Sequence, residues 1–322
     1  MTLEEFLEEW NNGCDQLLVH TSGSTGKPKP LWVEKRRMLA SAHITCDFLG
    51  LKKGDTALLC MPLDYIAGKM MVVRALERGM TLVSIQPTSH PMADPQIIDD
   101  REIDFAAMVP LQVWNTLQVE SECRRLMNIR HLIIGGGAID EALEKELQSF
   151  PNAVWSTYGM TETLSHIALR RLNGKERSQW YKPFSTVGIG QDHDGCLIIN
   201  APLVCSEPQK TNDIAEVAPD GSFRIIGRRD NVICSGGIKI QMEEVEQRLR
   251  QFINVPFMIT KAPDEKYGEI VVMLIENGNV ADAERLCRRH LPRYWFPRII
   301  KSVSRLLYTE TGKPRRQIEL YL

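Results

Sequence analysis

Short apolar runs recur along the first two-thirds of the chain, separated by stretches whose apolar positions fall at helical spacing. The runs DQLLVH, DTALLCM, MTLVSIQ, FAAMVP, HLIIGG, AVWSTYG, GCLIINA and SFRIIG have the near-continuous apolar character of buried strands. Residues 34–49, 67–79, 111–126 and 140–149 read as helices between them, with Asp140 as the N-cap of the last. Strand and helix in alternation predict an α/β fold with a partly parallel sheet. The pattern changes near residue 227, where the polar stretch GRRDNVICSGG leads into a helix over 241–252, strands near 255–260 and 269–276, a helix over 280–290 and a basic tail. This predicts a large domain over 1–228 and a small α+β domain over 229–322, with a linker at 227–231. No internal repeat or low-complexity tract interrupts either part.

Composition narrows the class of partner. Among 322 residues the charged ones make up 25% and nearly balance, for a net charge of -2, so bulk charge points to neither nucleic acid nor a membrane surface. The opening MTLEEFLEEW is acidic and amphipathic where a signal peptide is basic and then apolar, and no apolar run is long enough to span a bilayer. The expectation is a cytoplasmic protein without membrane insertion, monomer or homo-oligomer. Its 8 cysteines show no CxxC pair and no zinc spacing, so they read as reduced thiols.

Chemistry concentrates first in His20–Pro30, HTSGSTGKPKP. Thr21, Ser22, Ser24 and Thr25 supply hydroxyl donors, Gly23 and Gly26 let backbone N–H groups approach an anion, and Lys27 and Lys29 add positive charge. Such a loop suits a polyphosphate, and by itself it equally describes a flexible polar turn. It is not a Walker A loop, because Thr21 and Pro28 stand where that motif needs glycine and a hydroxyl. In HLIIGGGAIDEALEKEL a strand, the glycine turn Gly135-Gly136-Gly137 and a helix follow one another, but Asp140 stands where a dinucleotide fingerprint needs glycine. Arg74 lies inside an otherwise apolar helical run, where a charge is costly unless paired; Glu77 one turn later and snorkelling to solvent are two ordinary outlets.

TSGSTGKPK, then YGMTET at 158–163, then Thr211-Asn-Asp213 with Gly227-Arg228-Arg-Asp230, Ser235-Gly-Gly-Ile-Lys-Ile240 and Glu243-Glu-Val-Glu246, and last Thr309-Glu-Thr-Gly-Lys313, occur in this order. Together these blocks resemble the adenylate-forming acyl- and aryl-CoA ligases, related to luciferases and to the adenylation domains of peptide synthetases. The resemblance implies a large layered α/β domain, shortened at its N-terminus, with a small mobile domain hinged at Asp230. It implies a reaction in which a carboxylate attacks the α-phosphate of ATP and a thiol then takes the acyl group, with ATP, Mg2+ and CoA required.

Position by position, the resemblance implies that Thr21, Ser22, Gly23, Ser24, Thr25, Gly26, Lys27 and Lys29 hold the ATP phosphates. Gly135, Gly136 and Gly137 lie beside the adenine and acyl group, and Tyr158 offers its ring to the adenine within the block that continues through Gly159 and Met160. Thr161 donates to the α-phosphate, and Glu162 is a hard oxygen ligand for Mg2+. Taken alone, that block also describes a strand-to-helix turn with a surface glutamate. Asp213, expected in a turn after a strand, and Arg228 would take the ribose. Lys313, which composition alone would leave solvated in a basic tail, would bridge carboxylate and α-phosphate. Ser235, Gly236 and Gly237 would replace it for the thiol step and leave room for a pantetheine arm; as local sequence they are an ordinary β-turn.

The acid is read from MPLDYIAGKMMVVRAL. Tyr65, Gly68 and Arg74 match the family's acid-binding segment, and an arginine at this helix position resembles the o-succinylbenzoate-CoA ligases of menaquinone biosynthesis, in a short form like that of Bacteroidetes. Arg74 would then hold the second, non-reacting carboxylate of a diacid. Three departures stand beside this: the long N-terminal region of typical members is not in this sequence, either naturally or through truncation, Asp64 and Tyr65 replace an aromatic or histidine pattern, and Leu307-Tyr308 replaces proline-arginine before the final threonine. A carrier-protein thiol in place of CoA, another acyl or aryl acid, and a nucleotide-binding protein without turnover are the alternatives.

Overall fold

Strands Thr56–Leu59, Thr81–Ser84, Phe105–Met108, His131–Ile134 and Ala153–Gly159 run parallel, and helical crossovers connect them. The computed structural model describes residues 1–20, 30–98, 102–308 and 314–321. In space the order is Thr81–Ser84, Thr56–Leu59, Phe105–Met108, His131–Ile134 and Ala153–Gly159, followed by His166–Arg171 and Lys182–Pro183, which run antiparallel and complete seven strands. Phe105–Met108 is buried at every position, as a central strand covered on both faces must be. Around it Leu58, Met108, Val113, Leu126, Ile134, Leu147 and Leu172 form a contiguous apolar core.

Helices flank this sheet where the sequence punctuates them. Lys35–Leu49 and Ile66–Arg78 each end at a glycine in the left-handed region, Gly50 and Gly79. Asp140 caps Glu141–Leu147 by accepting from the Leu143 N–H at 2.8 Å, as expected. The single helix expected over 111–126 is instead two, Pro110–Leu117 and Glu120–Asn128. Val119 between them is extended, and its backbone N–H closes onto Thr116; a β-branched residue gives up little by leaving a helix there. Among the described residues no helix is long and apolar enough to cross a membrane, and all eight cysteines are free thiols.

Two compact units are present. Met1–Gly190, Ile198–Gln209 and Val217–Arg224 make the larger; Gln191–Leu197, Lys210–Glu216 and Ile225–Leu322 make the smaller. A further sheet orders Gly188–Gln191, Cys196–Asn200, Gln209–Val217 and Phe223–Arg228.

Within the smaller unit, Ile238–Gln241, Val232–Ser235, Gly268–Glu276 and Phe257–Asp264 form a sheet to which Ile299–Val303 adds in parallel. Met242–Arg250 and Val280–His290 supply Met242, Val245, Leu249, Ala283 and Cys287 to one of its apolar clusters, and Met258, Val272, Leu274, Leu306 and Tyr321 form another. The residues on either side of 309–313 are tied to this unit. Tyr308 bridges Pro314, and the Tyr321 hydroxyl accepts from Leu307 N–H at 2.9 Å and donates to the Arg315 carbonyl at 2.9 Å. Arg316 grips both oxygens of Glu246, with Nη2 to Oε2 at 3.0 Å, while Glu246 also accepts from Ile259 N–H at 2.8 Å.

Removing the cation from that pair strands a buried carboxylate. Arg316→Ala is expected to lower unfolding free energy by about 3 kcal/mol, read as a shifted midpoint in urea. Arg288→Ala, which releases only an exposed helix pair with Glu284, should shift it by less than about 1 kcal/mol.

Candidate functional site

Ala153–Gly159 is the last parallel strand, and beyond it the chain turns sharply back into His166–Arg171. The pairing register shifts at Tyr158/Gly159, and a Cβ on Gly159 would lie 2.3 Å from the Ser165 carbonyl oxygen and 2.5 Å from His166 Cα. Only glycine permits so close a return. Thr161–Thr163 forms a 3₁₀ turn in which Thr163 Oγ1 accepts from Met160 N–H at 3.1 Å and lies 2.9 Å from the Ser165 carbonyl. Leu164 completes the reversal at φ 64°, a left-handed conformation uncommon for a residue with a side chain. The turn therefore holds Thr161 and Glu162 beside the strand end by geometry that the sequence alone does not display. Thr161 is buried, and Glu162 is half-buried and meets no cation among the described residues. A carboxylate so placed fits a hard divalent ion such as Mg2+.

Tyr158 packs edge-on against Phe223, ring centroids 5.1 Å apart, and at 5.8 Å from Tyr181. Tyr181 in turn stacks on Phe223, and its hydroxyl meets Ser156 Oγ at 2.7 Å. The Tyr158 ring is thus braced by aromatic neighbours far away in sequence. Gly135, Gly136 and Gly137 follow the adjacent strand His131–Ile134, and Gly135 N–H bonds to the Met108 carbonyl at 3.0 Å. Loop positions just beyond the carboxyl ends of parallel strands are where open α/β sheets bind ligands.

Arg74 is only 2% exposed and has no carboxylate partner among the described residues. Glu77 does not supply one: it pairs with His43 at 2.8 Å and Arg78 at 3.3 Å. Nor does Arg74 snorkel to solvent. Its Nη2 donates to Ser165 Oγ, its Nη1 reaches Met71 Sδ at 3.8 Å, and its Nε is buried without a partner. Burial pushes its pKa down to about 10. Ser165 Oγ lies 3.3 Å from His166 Nδ1, and His166 Nε2 lies 3.1 Å from Thr45 Oγ1. Sequence reading missed Ser165, His166 and Thr45; the one available signal was that Ser165-His166 directly follows YGMTET. Tyr65 is the half-buried N-cap of the Arg74 helix, and Gly68 in its first turn packs on the Pro62 carbonyl.

Asp213 and Arg228 meet in the smaller unit, Oδ1 to Nη1 at 3.0 Å. Asp213 lies within strand Gln209–Val217 and not in the turn expected for it, because Thr211 Oγ1 and the strand backbone hold that stretch extended. Arg228 ends strand Phe223–Arg228, and its Nη2 also reaches Asp230 at 3.0 Å in the 3₁₀ turn Arg229–Asn231. Ser235 ends strand Val232–Ser235 and pairs with Ile238, and Gly236 and Gly237 form the two-residue hairpin turn between them, with φ 57° and 83°. Gly236 N–H bonds to the Tyr267 carbonyl at 2.8 Å. Thr21, Ser22, Gly23, Ser24, Thr25, Gly26, Lys27 and Lys29 lie outside the described residues, as does Lys313. The strands on either side of the first segment, Gln16–His20 and Pro30–Glu34, pair antiparallel with His20 opposite Pro30.

The family model described as AMP-binding enzyme matches residues 15–202. This chain belongs to that family. The AMP-binding enzyme is 24% identical over 338 residues to the 2-succinylbenzoate–CoA ligase of Listeria monocytogenes, an alignment covering 97% of this chain and 71% of the relative. Among solved structures it resembles an acyl-CoA synthetase (AMP-forming)/AMP-acid ligase II-like protein of Dyadobacter fermentans, with 36% identity, a TM-score of 0.67, and 97% and 91% of the two chains covered. It also resembles the o-succinylbenzoate CoA synthetase of Bacillus subtilis in complex with the acyl-adenylate intermediate OSB-AMP, at 25% identity and a TM-score of 0.77, covering 93% of this chain and 67% of that one. The mixed α/β fold is therefore that of the adenylate-forming enzymes, and the Dyadobacter protein matches it over nearly its whole length.

Gly159→Ala in this AMP-binding enzyme should cost about 2 kcal/mol, since its new Cβ meets backbone that must move. Gly137→Ala, whose Cβ would meet only Pro110 at 3.6 Å, should leave the urea midpoint nearly unchanged.

Proposed function

We propose that this chain is an ATP- and Mg2+-dependent acid–thiol ligase that converts o-succinylbenzoate to o-succinylbenzoyl-CoA in menaquinone biosynthesis, in the cytoplasm. The observation that carries the diacid is Arg74: a buried guanidinium with no carboxylate partner and an unpartnered Nε among the described residues, bonded to Ser165, which follows Thr161 by four residues and Glu162 by three. A second, non-reacting carboxylate completes that site, because a buried charge is stable only when something answers it. The relatives named as 2-succinylbenzoate–CoA ligases support the same substrate.

In the first half-reaction a carboxylate oxygen of the acid bonds to the α-phosphorus of ATP as the bond to the bridging oxygen breaks and pyrophosphate leaves. The triphosphate repels the incoming anion, so catalysis is chiefly positioning and neutralisation. Residues 21–29 carry the hydroxyls, backbone donors and lysines for the phosphates, Thr161 donates to the α-phosphate, and Lys313 would bridge carboxylate and phosphate. Glu162 would hold a magnesium ion, which would supply charge neutralisation to the phosphates. Tyr158, with Gly135–Gly137, receives the adenine, and Asp213 and Arg228 hold the ribose hydroxyls. In the second half-reaction the CoA sulfur attacks the acyl carbon, AMP leaves, and the thiol proton passes to solvent. We assign residues 1–228 to ATP and acid binding and 229–322 to a mobile domain. Its hinge at Asp230 exchanges the Lys313 segment for the Ser235-Gly236-Gly237 hairpin between steps.

The first test is pyrophosphate release from ATP and Mg2+ across a panel of acids. Selective release with o-succinylbenzoate, raised by CoA, is expected; release with another acid alone would discard the substrate, and acylation of a carrier protein in preference to CoA would change the acceptor. Lys313→Ala should abolish adenylation yet leave thioester formation from supplied acyl-adenylate largely intact, and equal loss in both would refute the exchange of segments. Arg74→Ala should raise KM for o-succinylbenzoate about thirtyfold, as loss of a charged hydrogen-bond pair does. KM for an analogue lacking the second carboxylate should move little.

A further inference from the structure

Behind Arg74 stands a run of hydrogen bonds that the family motifs leave unused. His166 is 8% exposed, with Nε2 3.1 Å from Thr45 Oγ1 and Nδ1 3.3 Å from Ser165 Oγ. The directions of these bonds follow from the groups at the two ends. Thr45 gives its hydroxyl hydrogen to the Ser41 carbonyl, 3.1 Å away on the same helix, so Oγ1 is left to accept from His166 Nε2–H. At the other end a guanidinium has only hydrogens to offer. Ser165 Oγ therefore accepts from Arg74 Nη2 and turns its own hydrogen to His166 Nδ1. Each hydrogen is used once, and the chain runs one way from Arg74 to Ser41.

Other states of the ring break this order. With the proton on Nδ1, Ser165 Oγ would have to accept twice and its own hydrogen would lose its acceptor, while Thr45 would have to give up the Ser41 carbonyl to reach Nε2. A doubly protonated ring would set a second cation against Arg74. Burial first, and the Arg74 charge second, hold the His166 pKa well below its ordinary value. Beyond the ring the cleft lined by Ser41, Ile44, Phe184 and Val204 has a volume of only about 10 Å³, room for a single water at most.

We infer that His166, as its Nε2–H tautomer, is a positioning residue that orients Ser165 and through it fixes the Arg74 guanidinium for the second carboxylate of the acid. This rests on the reading of Arg74 as the diacid's anchor. Apart from Ser165, the Arg74 guanidinium meets among the described residues only a thioether at 3.8 Å, so the orientation of one hydroxyl decides where its Nε points. Thr45 and Ser41 belong to helix Lys35–Leu49 and Arg74 to helix Ile66–Arg78. The imidazole thus ties the anchor to a second helix.

The test compares His166→Leu, which fills the space without either polar atom, with His166→Gln, which restores an acceptor and a donor. In full-length protein, His166→Leu should raise KM for o-succinylbenzoate about tenfold, the scale of one misplaced charged hydrogen bond. Its kcat, and its KM for the analogue lacking the second carboxylate, should stay within about twofold, and His166→Gln should recover most of the loss. A parallel rise in KM for both acids, or no recovery with glutamine, overturns the inference. Arg74→Ala separates the two levels: if it too is blind to the second carboxylate, the anchor reading itself falls, whereas a diacid-selective Arg74→Ala beside a non-selective His166→Leu removes His166 alone. Long-range 15N–1H correlation on the wild-type protein needs no variant to fold. It should show His166 neutral with its proton on Nε2; an Nδ1–H ring or an imidazolium would end the proposal.

Discussion

A guanidinium taken out of water has to be answered by polar atoms, and at Arg74 the protein answers only part of it. One arm reaches Ser165 and another a methionine sulfur, while Nε has no partner among the described residues. The desolvation cost of such an arrangement falls on the folded state, so the surroundings must hold it by force of packing. Helix Ile66–Arg78 is buried continuously from Gly68 to Ala75, and the turn that supplies Ser165 is pinned by the Gly159 contact and by Thr163. The local strain at Leu164 sits in the same few residues. Site and scaffold are thus one construction here, with stability spent where a ligand's charge would return it.

The parallel strands explain why the remaining groups gather. Every crossover returns the chain in the same direction, so the loops after Ile134 and Gly159 emerge at the same edge of neighbouring strands. The antiparallel return of His166–Arg171 then folds Ser165 and His166 back toward that edge. Groups separated widely along the chain are brought together without any long excursion: His166 and Thr45 are 121 residues apart in sequence, Arg74 and Ser165 are 91.

Those separations also mark the boundary of what the sequence disclosed. Strands buried on both faces were readable because they need nothing but apolar side chains, and AVWSTYG coincides with Ala153–Gly159. Gln209–Val217 was not readable: QKTNDIAEV alternates only weakly and carries its polar groups into a half-covered sheet. Pro30–Glu34 was hidden by a proline and an exposed tryptophan. The blocks that suggested adenylation were legible because their chemistry is contiguous, as with Thr161 and Glu162. The Ser165–His166–Thr45 relay was not, since each member is ordinary alone and acquires direction only from partners on other elements. Arg74 stood between: the sequence marked it as a costly charge, and only packing excluded Glu77 as its counter-ion.

The hairpin at Ser235–Ile238 is short, glycine-tipped and easily taken for a floppy loop. Its two central residues have the left-handed backbone that suits a tight strand reversal, and the Gly236 amide is bonded to Tyr267 on the neighbouring strand connection. A displacement of the tip by itself would have to break the Gly236–Tyr267 bond, so the glycines shape a turn that belongs to the sheet behind it.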